Sequence, residues 1–128
     1  MSKGILHVRI LEGRNVKDAD IITGKGDPFV EFWLDKWRKQ RTESRFNTRT
    51  PVWLEERTFI VNGHKHLHLR LIDKDLIIDD KLGETKIPLE TVYKHFFQDL
   101  WVHVSPPGKH ESTGEIHVVM EFFPDGSQ

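Results

Sequence analysis

Leu67-His68-Leu69-Arg70-Leu71-Ile72 runs directly into Asp73-Lys74-Asp75-Leu76-Ile77-Ile78-Asp79-Asp80-Lys81-Leu82-Gly83. The first six residues alternate apolar and polar before closing on two aliphatics, the pattern of a half-buried strand. The next eleven crowd four carboxylates and three bare aliphatic side chains into one turn. A soluble chain seldom leaves Leu-Ile-Ile on a loop without a use for it. It also seldom gathers that much negative charge unless a cation arrives to offset it. The acidic turn begins where a strand ends, which places it at the rim of a sheet.

Outward from this turn, the same period-two signal recurs along the chain. Leu6-His7-Val8-Arg9-Ile10 alternates strictly, so Leu6, Val8 and Ile10 should face a core. A long loop from Val16 closes at Asp27-Pro28, and Phe29 to Leu34 reads as a second, aromatic-rich strand. Asp35-Lys36 turns the chain into a polar third strand, Arg38 to Phe46. Trp53 to Val61 is a fourth strand, followed by Asn62-Gly63, a hairpin signal. His66 to Ile72, Leu82 to Ile87, Leu100 to Val104 and Gly114 to Phe123 complete the strands, with one or two helical turns within Leu89 to Phe97. Eight short strands with almost no helical periodicity predict an all-β fold, an eight-stranded antiparallel β-sandwich. No repeat, linker or low-complexity tract divides it, so residues 1–128 are expected to form one domain with its core over about 4–123.

Composition narrows function by exclusion. A formal net charge of -1 rules out coating nucleic acid by bulk charge, so any electrostatic role must come from local patches. The absence of cysteine removes disulfides, thiolate metal sites and cysteine lipidation. Neither a signal-peptide-length apolar run nor a membrane span is present, and a cytosolic protein that meets membranes reversibly is expected. Nothing reads as catalytic. The EF-hand template fails because Ile77 and Ile78 stand where a ligand and a glycine belong, and neither a metalloprotease helix motif nor a nucleophile elbow occurs.

The first long loop mirrors the acidic turn. It carries Asp18, Asp20 and Asp27 around the aliphatic pair Ile21-Ile22. Loops of one sense cluster at one end of an antiparallel sandwich, so the two acidic loops can face each other. With these residues in view, the chain resembles the C2 domain family. Gly24-Lys25-Gly26-Asp27-Pro28-Phe29-Val30 is similar to the family's glycine-x-serine-Asp-Pro-Tyr-Val signature. Asp73-Lys74-Asp75 with Leu82-Gly83-Glu84 resembles its second acidic loop, and Thr50-Pro51-Val52-Trp53 its middle loop. The opening Leu6-x-Val8-x-Ile10 and closing Gly114-Glu115-Ile116 match as well. The order resembles the family's type II topology, and the overall look is that of small stand-alone members such as the plant elicitor-responsive proteins.

The resemblance implies calcium as cofactor, two or three ions, held by the carboxylates of Asp20, Asp27, Asp73, Asp75 and Asp80 and by the main-chain carbonyls of Ala19 and Lys74. Asp79 is a substitute where the Asp75 to Asp80 spacing is a residue shorter than the family's usual one. Calcium takes six to eight hard oxygens in flexible geometry, which shared carboxylates can supply. Gly26 for serine, Phe29 for tyrosine and Leu54 for asparagine are further departures. Ile21, Ile22, Leu76, Ile77 and Ile78 are the expected membrane-contacting residues, and an anionic phospholipid membrane is the expected partner. Arg38, Lys39 and Arg41 are expected to face lipid. Glu31, Trp33 and Glu43 fall where the family's phosphoinositide-binding members carry lysines, which favours general attraction to anionic lipid over a selective headgroup site. The alternative is a calcium-independent scaffold that binds a protein, or RNA, through its basic and aromatic surface.

Overall fold

The computed structural model describes residues 1–17, 26–75 and 77–126. Along the chain run β1 (Lys3–Arg14), β2 (Pro28–Trp33), β3 (Gln40–Arg41), β4 (Val52–Asn62), β5 (His66–Asp73), β6 (Asp80–Pro88), α1 (Glu90–His95), β7 (Phe97–Val104) and β8 (Gly114–Pro124). They form two four-stranded sheets, β4-β1-β8-β7 and β3-β2-β5-β6, in which every pair is antiparallel. The expected eight-stranded sandwich is therefore what the chain forms.

Alternation explains the packing. On β1 the inward set Leu6, Val8 and Ile10 is fully buried, and on β5 so are Leu67, Leu69 and Leu71. These meet Val30, Phe32, Ile116, Val118 and Met120 from the facing strands in one continuous core. Phe59 adds an edge-on contact with Phe32 at 5.8 Å. The β2 strand is buried on both faces except at Glu31, because basic side chains lie over its outer aromatic residues.

Three local readings of the sequence come out differently. Asn62-Gly63 makes its turn, with Gly63 at φ +76°, but no hairpin: β4 and β5 belong to opposite sheets, and the turn carries the chain across the sandwich. The third strand shrinks to Gln40–Arg41. Thr42 still exchanges backbone and side-chain hydrogen bonds with Val30, but Arg45 then swings its guanidinium onto the carbonyls of Ser44, Val52 and Trp53. That contact caps part of the free edge of β4, a position that would otherwise invite another strand. The seventh strand starts at Phe97 rather than Leu100, because β8 is long enough to pair with all eight residues.

One corner joins the sheets. Glu84 and Ser105 exchange backbone hydrogen bonds at 2.9 and 3.2 Å, linking β6 to the end of β7. Gly83 makes room for this approach: a β-carbon there would sit 2.9 Å from the Ser105 nitrogen.

Candidate functional site

Strand direction brings the acidic residues together. The β2 strand begins at Pro28, directly after Asp27, while its partner β5 ends at Asp73 and β6 begins at Asp80. Pro28 pairs with Asp73, and Asp73 with Asp80, so the three carboxylates share one edge of one sheet. The Lys74 N–H donates to the Asp27 carbonyl at 3.0 Å, and the Asp27 N–H donates to Asp73 Oδ1 at 2.7 Å. Gly26 allows this closeness. A β-carbon at that position would lie 2.6 Å from the Asp73 carboxyl carbon, so serine there would require the carboxylate to move.

The charge is felt at Asp73. Burial pushes its carboxyl pKa above the ordinary range, and repulsion from Asp27, Asp80 and Asp75 pushes the same way. The Asp27 N–H pulls against both. Asp73 Oδ1 and Asp27 Oδ1 each already accept a backbone hydrogen bond, the latter from Asn47 at 2.7 Å. Asp79 Oδ1 accepts one from the Asp75 N–H at 3.0 Å. Among the described residues, no three acidic or histidine side chains converge closely enough to hold a metal ion. Ala19, Asp20, Ile21, Ile22 and Leu76 lie outside the described residues.

Of the expected membrane-contacting residues, Ile77 is 91% and Ile78 74% exposed at the tip of the β5–β6 turn. A further residue escaped the sequence reading. Phe46, 86% exposed, lies on the loop between β3 and β4. That loop is tied to the acidic end by the Asn47 contact to Asp27 and by Thr48 N–H to the Gly26 carbonyl at 3.0 Å. The available signal was an aromatic residue inside an otherwise polar run, masked because that run was read as strand.

The basic residues separate. Arg38 is exposed in the β2–β3 turn, at the pole opposite the acidic end. Lys39 lies 4.6 Å above the Trp33 ring and 3.7 Å from Glu31. Arg41 lies over Phe29 at 5.0 Å and, with Lys74 and Thr42, lines a cavity of about 150 Å³ beside the acidic turn. On the outer face of this sheet Trp33 stacks on His68 at 5.4 Å, and the Arg70 guanidinium lies 5.2 Å from the Trp33 ring. Burial, then the neighbouring His66 and Lys86, lower the His68 pKa. His66 and His68 lie on one face with ring centroids 6.3 Å apart, while His64 turns to Asp35 at 3.1 Å.

The fold and its loop chemistry define a class: an antiparallel sandwich domain whose acidic cluster sits on connections at one end. Within that class the chain belongs to the C2 domain family, whose model matches residues 4–104. It is 31% identical over 124 residues to human Ras GTPase-activating protein 4, and 29% identical over 92 residues to the calcium-dependent lipid-binding protein of Arabidopsis thaliana. These matches cover 93% and 70% of this chain but only 15% and 18% of those much longer proteins. Among solved structures, a C2 domain-containing protein from an elicitor-responsive gene superposes with a TM-score of 0.82 at 30% identity, covering 99% of this chain and 93% of that one. No helix among the described residues is long and apolar enough to cross a membrane.

Proposed function

We propose that this chain is a calcium-dependent module for anionic phospholipid membranes, acting by reversible peripheral docking in the cytoplasm and without catalysis of its own. The observation that carries this reading is the register that brings Asp27, Asp73 and Asp80 to one end of one sheet. Three carboxylates from two connections press on a fourth, at the same end that exposes Ile77 and Ile78. Such a cluster is relieved by a hard divalent cation with oxygen ligands. Asp27, Asp73, Asp75 and Asp80, with Asp20 and the carbonyls of Ala19 and Lys74, are the proposed ligands for two or three calcium ions, and Asp79 is the substitute. Calcium supplies positive charge at the loop end. The chain's own part is to bring the carboxylates to one end of the sandwich and to present Ile21, Ile22, Leu76, Ile77 and Ile78 to the bilayer, joined by Phe46. Arg41 and Lys39 add a positive flank. Family membership and the name of the Arabidopsis relative support the reading.

Sedimentation with phosphatidylserine-containing vesicles, with calcium and with chelator, tests it. Wild type is expected to pellet more strongly in calcium than in chelator, and Asp27→Asn equally in the two conditions. Equal pelleting of the two proteins in calcium would remove Asp27 from the mechanism.

A further inference from the structure

Among the described residues, exposed large apolar side chains stand toward both poles of the sandwich. One group surrounds the acidic loops. The other occupies the far pole, and nothing in the proposed function uses it. There Ile5 on β1 pairs with Ile60 on β4 to one side and Phe123 on β8 to the other, and Phe97 on β7 sits diagonally beyond. Alternation sends their neighbours Leu6, Val61 and Phe122 into the core and turns these four outward. They are 48% (Ile5), 76% (Ile60), 53% (Phe123) and 53% (Phe97) exposed, and so form one apolar row across the whole sheet. Phe96 and Trp37 are exposed at the same pole.

The pole is held firmly. Asp35 meets His64 at 3.1 Å, the Tyr93 hydroxyl donates to the His64 carbonyl at 2.6 Å, and the Phe122 N–H donates to the Phe96 carbonyl at 2.9 Å. Exposed cations stand around it. Exposed Lys36, Arg38, Lys65 and Lys94 carry no ion-pair partner among the described residues. Of the acids nearby, Glu121 pairs with Arg9, while Asp35 and Asp99 meet the imidazoles of His64 and His117, which carry charge only when protonated. Glu90 and Asp125 also lie at this pole, Asp125 with an interaction of its own.

We infer that this far pole is a second, calcium-independent docking surface for an anionic phospholipid bilayer. A flat apolar row rimmed by unpaired cations complements a surface with an oily interior and negative headgroups. A second copy of the chain fits less well, because a symmetric pairing would bring the lysine rims together. With the loop end also engaged, a consequence that rests on the proposed function, the domain could touch two bilayers at once.

The test is sedimentation with phosphatidylserine-containing vesicles at low salt in excess chelator, using wild type, Ile60→Thr with Phe97→Thr, and Lys65→Glu with Lys94→Glu. Wild type is expected to pellet, and each double variant to bind roughly fivefold or more weakly. The increment added by calcium should stay the same in all three proteins. Asp27→Asn should lose only that increment, so failure of the loop reading and failure of this one give different patterns. Equal chelator-resistant pelleting of all three, or none by wild type, would overturn the inference. So would sedimentation velocity showing a wild-type dimer that the variants dissolve, which would assign the face to a second copy.

Discussion

Replacing Ile77 and Ile78 together with serine isolates the apolar part of the proposed membrane contact. The two side chains are 91% and 74% exposed, so the fold hides almost none of their surface and nearly all of it is available to a bilayer. Fully burying an isoleucine contributes about 1.5–3 kcal/mol, so half-insertion of this pair is worth about 1.2–2.5 kcal/mol. That corresponds to roughly 8- to 70-fold in vesicle affinity. The same exposure predicts that folding stability stays within about 0.5 kcal/mol of wild type. Vesicle titration in saturating calcium reads the first quantity and urea unfolding the second. Affinity within twofold of wild type would refute the insertion argument. A large loss of stability would show that the pair packs against the domain after all.

Two further predictions concern the scaffold. Tyr93 is the only tyrosine in the sequence, and burial raises its pKa from 10.0 to about 12. Spectrophotometric titration should therefore give one phenol midpoint near 12 in the native protein. The unfolded chain should titrate near ~10. Because the unfolded chain ionises first, stability should fall as pH rises between those two values. A native midpoint at the unfolded value would contradict the buried hydroxyl. Leu54 sits at φ 51° with 69% of its surface exposed. A left-handed backbone costs such a residue about 1–2 kcal/mol, whereas asparagine tolerates it. Leu54→Asn should thus raise the urea midpoint by an amount equivalent to about 0.5–1 kcal/mol, and a lower midpoint would count against the strain.

Strands were legible in this chain wherever one face met the core and the other met water. Leu6, Val8 and Ile10 announce β1 because each is separated by a residue that stays outside. The failures have a common cause: partners that local sequence does not specify. Asn62-Gly63 encodes a turn, but whether the next strand returns to the same sheet depends on where β1 and β2 already lie. The polar run from Arg38 looked like strand because nothing local shows Arg45 reaching forward to cap the carbonyls of Val52 and Trp53. Phe46 was lost for the same reason. At the acidic end the residue types were visible, and so was their arrival at a strand terminus. The pairing of Asp73 with both Pro28 and Asp80 needed the register.

Two opposing effects meet at that end, and their sizes say why an ion would be required. Asp27, Asp73, Asp75, Asp79 and Asp80 stand against Lys74 and Lys81, five negative charges against two positive, a local excess of three. Each charge near an anionic leaflet is worth about 1 kcal/mol, so docking the bare loop end is opposed by about 3 kcal/mol. Insertion of Ile77 and Ile78 returns about 1.2–2.5 kcal/mol, which does not cover the repulsion. Two calcium ions bring four positive charges and reverse the sign of the excess, after which the electrostatic and apolar contributions act together. The double variant Asp73→Asn with Asp80→Asn separates the roles of ligand and repellent. Removing two charges should relieve about 2 kcal/mol and strengthen vesicle binding in chelator by roughly 30-fold. The response to calcium should vanish at the same time. Binding in chelator that does not rise would mean that the carboxylates act as ligands without holding the apo domain off the membrane.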